Sequence, residues 1–524
     1  MTKLMQMFLE QFFANLSVWK ILLAFIVIAI LNILRKLIQM LYYLRRLKKK
    51  GAETYVRFPF GIVESFREEE QVGDCFGVIN LLIKSNPCLR VFGTHFMLTP
   101  SVYLIDPTLA KDLMMNPSNY TKSQMLNIYK LILGPGLVFL DGKLWKKHRK
   151  ILSEIFHFDF IASHIPTVVQ TSLDIFEREL ESAKGGMTTV NILDLFQNIT
   201  GDLVFQIFFG KDIRSATIDG LKPTQYLANL IEDIEENTYS WQNILFGEFS
   251  IRLGLFERNR LLKRKARKLR EFCLGIIHDR RSNLESCSRK DLLNILLELQ
   301  AQQKGGKDSY LTDEEALHEF IIMFLAGMDT TAHLLATAAY FYTQEDADTR
   351  MLLLQEAKEI AGAGSSLNYG MLNKCEYLHA FLKETLRLTG PSPLFFERQA
   401  VKGHYLQDLW IPKGARVNIC FKANNINNRY YRNPDKFNLF RWIPTHEDFD
   451  EQASKDPFIF TPFSAGPRSC LGQNIAMIEA KIILSIFIAK YIFTIPDDYK
   501  LRMCLRFVYE PFENLELLLC HRES

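Results

Sequence analysis

The chain reads as a mostly α-helical, α+β protein: one large helical domain with small β-sheets, preceded by one N-terminal transmembrane helix. Three observations lead there. Apolar residues recur at helical spacing over most of the chain. Short alternating runs are confined to segments near the two ends. Val18 to Leu34 is an apolar run in which only Lys20 and Asn32 are polar. The regular strand–helix alternation of a doubly wound sheet is missing.

The apolar run comes first along the chain. At about 1.5 Å per residue it spans roughly 25 Å, near the lower limit for a hydrocarbon core of about 30 Å, and Lys20 can snorkel to the interface. Arg35-Lys36 follows where a cleaved leader would carry small residues, so an uncleaved anchor is expected. Seven Lys/Arg lie between Arg35 and Lys50, against Lys3 and Lys20 before them. The positive-inside rule then puts the body on the cytosolic side. The net charge of +4 has the same origin. Met1 to Lys50 holds nine Lys/Arg and one acid, which leaves 54 basic and 58 acidic side chains for the rest. A nucleic-acid footprint needs a basic domain, so no nucleic-acid partner is expected.

With 524 residues, 48% hydrophobic, 12% aromatic and 23% charged, the chain can bury a large core, and collagen-like, disordered and disulfide-scaffold classes are excluded. No linker, repeat or low-complexity stretch follows Lys50. Residues 1–50 therefore read as the anchor and 51–524 as one domain, with a hinge near Pro59. Nine cysteines without C-x-x-C or zinc spacing suit a reducing compartment. Strands are expected at 89–93 and 101–106, in 398–423 and after 493. Helices are expected around 108–115, 143–156, 162–183, 223–237, 258–302, 312–341, 346–361, 371–388 and 472–490.

The most informative stretch is FSAGPRSCLG, Phe463 to Gly472. A thiolate from Cys470 can be the fifth ligand of an iron. Gly466 and Gly472 let backbone amides approach the sulfur, Arg468 offers a fork for a carboxylate, and Phe463 a ring that shields the sulfur. The helix starting near Gln473 places Cys470 ahead of a helix N-terminus, which favours an anionic sulfur. A second stretch is FLAGMDTTA, Phe324 to Ala332, inside a helical pattern that opens at Thr312 with an acidic turn. Ala326 and Gly327 leave room above a flat cofactor. Thr330 can bond back to a carbonyl one turn earlier, and Asp329 beside it can pass protons.

With all five fixed positions of F-x-x-G-x-R-x-C-x-G present, and a chance match on the order of 10⁻⁴, the chain resembles the cytochrome P-450 family over about Leu89 to Arg506. FLAGMDTTA is similar to that family's oxygen-activating stretch. The resemblance implies the cytochrome P-450 fold, with haem b between the central helix and the Cys470 loop. It also implies four further roles. Trp145 and Arg149 of WKKHR, Arg398 and Arg468 would hold the haem propionates. Glu384 and Arg387 of ETLRL with Arg441 of PDKFNLFRW would form a buried charge network, although Leu439 stands where the family commonly has Pro. Lys143, Lys146, Lys147 and Lys150 would dock an acidic electron donor. Substrate walls would come from 119–140, Phe324 to Thr330, Pro391 to Phe396 and Phe507 to Phe512. The second basic stretch, Arg258 to Arg270, suits membrane contact and plain solvation equally.

The implied activity is a monooxygenase of the endoplasmic-reticulum membrane. It would insert one atom of O2 into an apolar, lipid-like molecule, with electrons from a separate NADPH-dependent flavoprotein reductase and cytochrome b5 as a further donor. A haem-thiolate isomerase or dehydratase and a non-enzymatic haem sensor stay open as alternatives; the Asp329-Thr330-Thr331 run disfavours the first. The orientation has its own test. Asn119 and Asn198 sit in acceptor sequons, and neither should carry glycan in a eukaryotic host. A gel shift reversed by a glycosidase would invert the topology.

Overall fold

The computed structural model describes residues 2–123, 126–153, 156–282, 291–302, 310–394 and 397–522. Its first element is a single helix, Thr2–Lys49, far longer than the 18–34 span expected. Residues from Trp19 through Leu34 have exposed side chains, and the helix is long and apolar enough to cross a membrane. Its last turns behave differently. Met40, Tyr43, Leu44 and Leu47 are buried against the first sheet, and the Tyr43 hydroxyl donates to the Trp410 carbonyl at 2.9 Å. The boundary at residue 50 therefore falls just past a continuous helix whose end already belongs to the core of the body.

That sheet joins both ends of the chain. In spatial order its strands are Glu53–Thr54, Val91–Phe96, Thr99–Leu104, Arg416–Ile419, Arg398–Ala400 and Tyr120–Lys122. Val91–Phe96 and Thr99–Leu104 form the expected hairpin, turning through Met97 at φ 53°. Thr99–Leu104 then pairs in parallel with Arg416–Ile419. The tail strands Tyr491–Thr494 and Glu516–His521 pair antiparallel and take on Thr188–Asn191 as a third strand.

Most expected helices form within a few residues of their expected bounds, and 258–302 appears as Glu257–Ser282 and Leu292–Gln302. The central helix runs Asp313–Gln344. Thr312 caps it by accepting from the Glu315 amide, while Glu315 returns the bond to the Thr312 amide, so the acidic first turn serves the helix end. A helix absent from the sequence reading, Ile192–Phe209, lies along it. Apolar on nearly all sides, it is buried over most of its length, so it shows no one-sided period to find. Its Phe205 meets Phe324 edge-on at 4.7 Å, and Phe209 stacks on Phe320 at 3.4 Å. The two helices approach closely because Gly327 has no side chain: a Cβ there would sit 2.6 Å from Val204 Cγ2.

Each apolar side chain removed from water is worth about 1.5–3 kcal/mol as an upper estimate. A chain starting at residue 51 forfeits the burial of Tyr43, Leu44 and Leu47 and should unfold several degrees below one starting at residue 37. Equal melting temperatures for the two truncations would contradict the packing of the helix end.

Candidate active site

The loop before the Gln473–Lys490 helix carries Cys470. The Cys470 amide donates to the Phe463 carbonyl at 2.9 Å and the Ser469 amide to Gly466 at 3.0 Å, closing a tight turn. Gly466 is at φ 72°, and a Cβ on it would come within 2.8 Å of the Met114 carbonyl. This glycine is needed for the close approach of the Pro107–Met115 helix. The Gly472 amide donates to the Cys470 sulfur, as expected, whereas a Cβ at Gly472 would make only an ordinary contact with Ile475.

Cys470 has exposed surface, yet burial is the largest influence on its thiol and pushes its pKa up against the pull of the Gly472 amide and Arg149. Accessible surface on an atom so desolvated faces an interior cavity. Ala326 behaves alike: it is exposed in mid-helix although Leu325 and Met328 are buried. Thr330 lies one turn on, with its hydroxyl donating to the Ala326 carbonyl at 2.8 Å, as its position in the sequence suggested. Gly327 is a correction, since its missing side chain serves the contact with Val204 and the room on the cavity side is left by Ala326. Phe324 is likewise fully buried against Phe205 and is core, not cavity wall.

Beside the loop, cations gather. Arg149 on the Gly142–Ser153 helix donates to the Ser469 carbonyl at 2.8 Å. Arg468 donates to the Leu140 carbonyl at 2.7 Å and to Asp141 at 2.8 Å, with its guanidinium 3.9 Å above the Trp145 ring. Arg398 is buried on its strand, its pKa lowered to about 10 by burial and by Arg468. Sequence reasoning missed a fourth cation, Lys122, whose ammonium is pushed well below its usual pKa by burial, then by Arg398 and Arg468. A lysine in a short edge strand has no local signal. Four cations against the single Asp141 carboxylate leave positive charge over, and Arg468 Nε is buried without a hydrogen-bond partner. Such a surplus suits a flat cofactor carrying two carboxylates, and a cysteine sulfur on its iron completes the fit for haem.

The charge network comes together fully. Glu384 accepts from Arg387 at 2.9 and 2.7 Å, from Arg441 Nε at 2.9 Å, from the Asn438 amide at 3.0 Å and from Trp442 Nε1 at 2.9 Å. Burial alone would raise its pKa, but Arg387 and then Arg441 outweigh that and hold it below the usual carboxylate range. Asp450, unanticipated, is a second acid on Arg441. Leu439, the departure from the family pattern, is buried in the short helix that presents Arg441.

Two other expectations change. Lys147 is largely buried and paired with Glu315 at 2.9 Å, which leaves Lys143, Lys146 and Lys150 as the exposed patch. Along Glu257–Ser282, Arg258 pairs with Glu236, Lys265 with Asp233, Lys268 with Asp219 and Arg270 with Glu314. Much of that basic run therefore answers acids of its own protein. On the substrate side, Tyr129 packs 5.1 Å from Phe507 and donates to Glu235 at 3.3 Å. Burial, then Glu510, pushes the Glu235 carboxyl up to about 8. Phe395 and Phe396, expected in the same wall, lie outside the described residues.

Comparison with known proteins agrees with this geometry. The profile of the family described as Cytochrome P450 matches residues 85–512. Cytochrome P450 72A13 of Arabidopsis thaliana is 27% identical over 420 residues, covering 78% of this chain and 77% of the relative. The 11-oxo-beta-amyrin 30-oxidase of Glycyrrhiza uralensis is 27% identical over 409 residues, covering 76% and 75%. The crystal structure of the cytochrome P450DA heme domain superposes with a TM-score of 0.73 at 21% identity, covering 90% of this chain and 98% of that one.

Removing one partner of a buried ion pair typically costs about 3–5 kcal/mol. Glu384→Ala and Arg441→Leu should each lower unfolding stability by about that amount, whereas Arg432→Leu, whose side chain is largely exposed, should cost under about 1 kcal/mol. Denaturant titration compares the three.

Proposed function

Because this chain belongs to the cytochrome P450 family, whose members are haem-thiolate monooxygenases, we propose that it is a membrane-anchored enzyme oxidising a bulky apolar lipid. One observation supports the site assignment: Cys470, desolvated yet with exposed surface, lies beside a cluster of cations, and Ala326 and Thr330 keep accessible surface in the middle of the buried central helix. Haem, when bound, supplies the reductive activation of O2, by which one oxygen atom enters the substrate and the other leaves as water. Cys470 would ligate the iron, with the Gly472 amide tempering the sulfur's charge. Lys122, Arg149, Arg398 and Arg468, with Trp145 beneath Arg468, would hold the propionates. Ala326 would leave room for the bound group, and Thr330 can release its carbonyl bond to hold a water.

Substrate class follows from the walls. Tyr129 and Phe507 are aromatic, while Glu235 and Tyr129 add a polar pair beside them, with Glu510 and Arg506 nearby. A large lipid with one polar group fits that lining. The relative named for 11-oxo-beta-amyrin oxidation supports the same class. Electrons would come from a separate NADPH-dependent flavoprotein reductase, or from cytochrome b5, docking on Lys143, Lys146 and Lys150. The exposed apolar helix supports a single-pass anchor in the endoplasmic reticulum, with the body cytosolic. Leu245, Phe246, Phe249 and Leu253 are exposed along Trp241–Leu253, two helical pieces that meet at a break at Gly247, which supports a second apolar contact with the bilayer.

Reduced protein with carbon monoxide should give the strongly red-shifted Soret band of a thiolate ligand, and Cys470→Ser should lose it; a retained band would mean another ligand. Thr330→Ala should keep the band but release several-fold more hydrogen peroxide per NADPH. Spin-state shifts of the ferric protein against dodecanoic acid, cholesterol and beta-amyrin test the substrate class. The largest response should come from the polycyclic lipids, and a response to dodecanoic acid alone would overturn that part.

A further inference from the structure

A line of charged and polar side chains crosses the interior without touching the cation cluster. Asp329 Oδ1 accepts from Gln197 Nε2 at 3.2 Å. His333, one turn further along the central helix, brings Nδ1 to 2.8 Å from the Asp329 carbonyl oxygen and 3.4 Å from Oδ1. Its Nε2 lies 3.2 Å from Glu510 Oε2, at ion-pair distance but not aligned as a hydrogen bond. Glu510 in turn accepts from Arg506 at 3.0 Å. Side-chain exposure falls along the line, from 40% at Arg506 to 15% at Glu510 and 2% at His333.

We propose that His333, seated on Glu510, is the positioning residue for Asp329: it holds that carboxyl against Gln197, next along the helix to Thr330, and supplies the counter-charge that keeps it able to gain and lose a proton in a dry interior. This rests on the monooxygenase reading above. A buried carboxyl with no counter-charge stays protonated, and then cannot take up a proton from solvent and pass it on. In that exchange a hydronium O–H bond breaks as the Asp329 O–H bond forms, leaving water, and the Asp329 O–H bond breaks as the proton passes to a second water on the Thr330 side of the helix, while the ring keeps its own protons.

The charges around His333 favour the imidazolium. Asp329 faces it from its own helix and Glu510 from the Tyr509–Pro511 strand, with Arg506 behind Glu510. Glu235 approaches Glu510 and Asp329 from the Pro223–Thr238 helix, and the Ile192–Phe209 helix offers only the Gln197 amide. Burial alone lowers the ring's pKa, but Asp329 and Glu510 outweigh it and raise it to about 9. With the folded value above the ordinary 6.5, the ring's contribution to stability is complete below about 6.5 and is lost as pH rises through about 9.

The test uses the full-length, haem-loaded chain in phosphatidylcholine vesicles with an NADPH-dependent reductase, reading peroxide released per NADPH oxidised against pH, with no substrate added. Wild type should hold a low fraction at neutral pH and rise through about pH 9. His333→Gln should give a several-fold higher fraction at neutral pH without the step, and Glu510→Gln should move the step to lower pH. A second readout is independent of turnover: in protein with ¹⁵N-labelled histidine, the resonance missing from His333→Gln should titrate near pH 9 in wild type and lower in Glu510→Gln. A purely structural ion pair would give the same ring titration and change melting temperature, but would leave the peroxide profile of wild type, His333→Gln and Glu510→Gln alike. Equal peroxide fractions and profiles in His333→Gln and wild type, or a ring titrating at or below its ordinary value, would overturn the proposal. If His333→Gln does not fold, Glu510→Gln decides on its peroxide profile, and the wild-type ring is assigned as the resonance that Glu510→Gln shifts. An absence of NADPH oxidation in wild type would instead sink the monooxygenase reading and leave the ring titration to decide this one.

Discussion

The carboxylate of Glu384 is the constraint on which the cysteine side of the molecule depends. A buried anion is costly unless nearly every lone pair finds a donor. Here the donors come from three places: Arg387 on the same helix, Arg441 and Trp442 from the short helix at Leu439–Trp442, and the Asn438 amide just before it. Trp442 packs on Phe460 at 4.7 Å, a few residues before the Cys470 loop begins. A loop with little regular structure is thereby tied to a helix by charge, and the rigidity is passed on through aromatic packing. Leu439 shows that this tie does not need the proline common at its position, because burial of an apolar side chain fixes the same turn.

The opposite wall is set by close packing. The Ile192–Phe209 helix can lie near the central helix because Gly327 lacks a side chain at the contact, while Gly201 leaves room for Thr224 of the Pro223–Thr238 helix, and the Thr200 hydroxyl donates to the Met328 carbonyl at 2.9 Å. These contacts fix the rotation of the central helix about its axis. That rotation sends Ala326 and Thr330 toward the cavity and Asp329 toward Gln197 and His333. The side chains of two adjacent residues, Asp329 and Thr330, are thus divided between a charged interior line and the cavity.

What could be read in the sequence was local. The ten residues around Cys470, the capped start of the central helix and the Thr330 back-bond each depend on neighbours within a few positions, and each is found where expected. Lys122, Asp450, His333 and Glu235 were not legible, because their meaning comes from partners far along the chain: Lys122 meets Arg398, and His333 meets Glu510. The Ile192–Phe209 helix escaped for the reverse reason. Buried on most sides, it lacks the polar stripe by which a helix is noticed; the structure shows Asn191 capping its start and a left-handed Gly210 at its end. Basic residues misled where pairing was hidden, as Lys147 and the Arg258 to Arg270 run illustrate.

The end of the N-terminal helix makes it a mast and not a tether. Because Met40, Tyr43, Leu44 and Leu47 are embedded in the body while Trp19 to Lys36 are bare, the body cannot swivel independently of the helix that carries it. On the membrane reading, any lean the helix takes to match the thickness of its bilayer is transmitted to the whole domain. Bilayer thickness would then set the height and pitch at which the cavity's entrance meets the lipid surface.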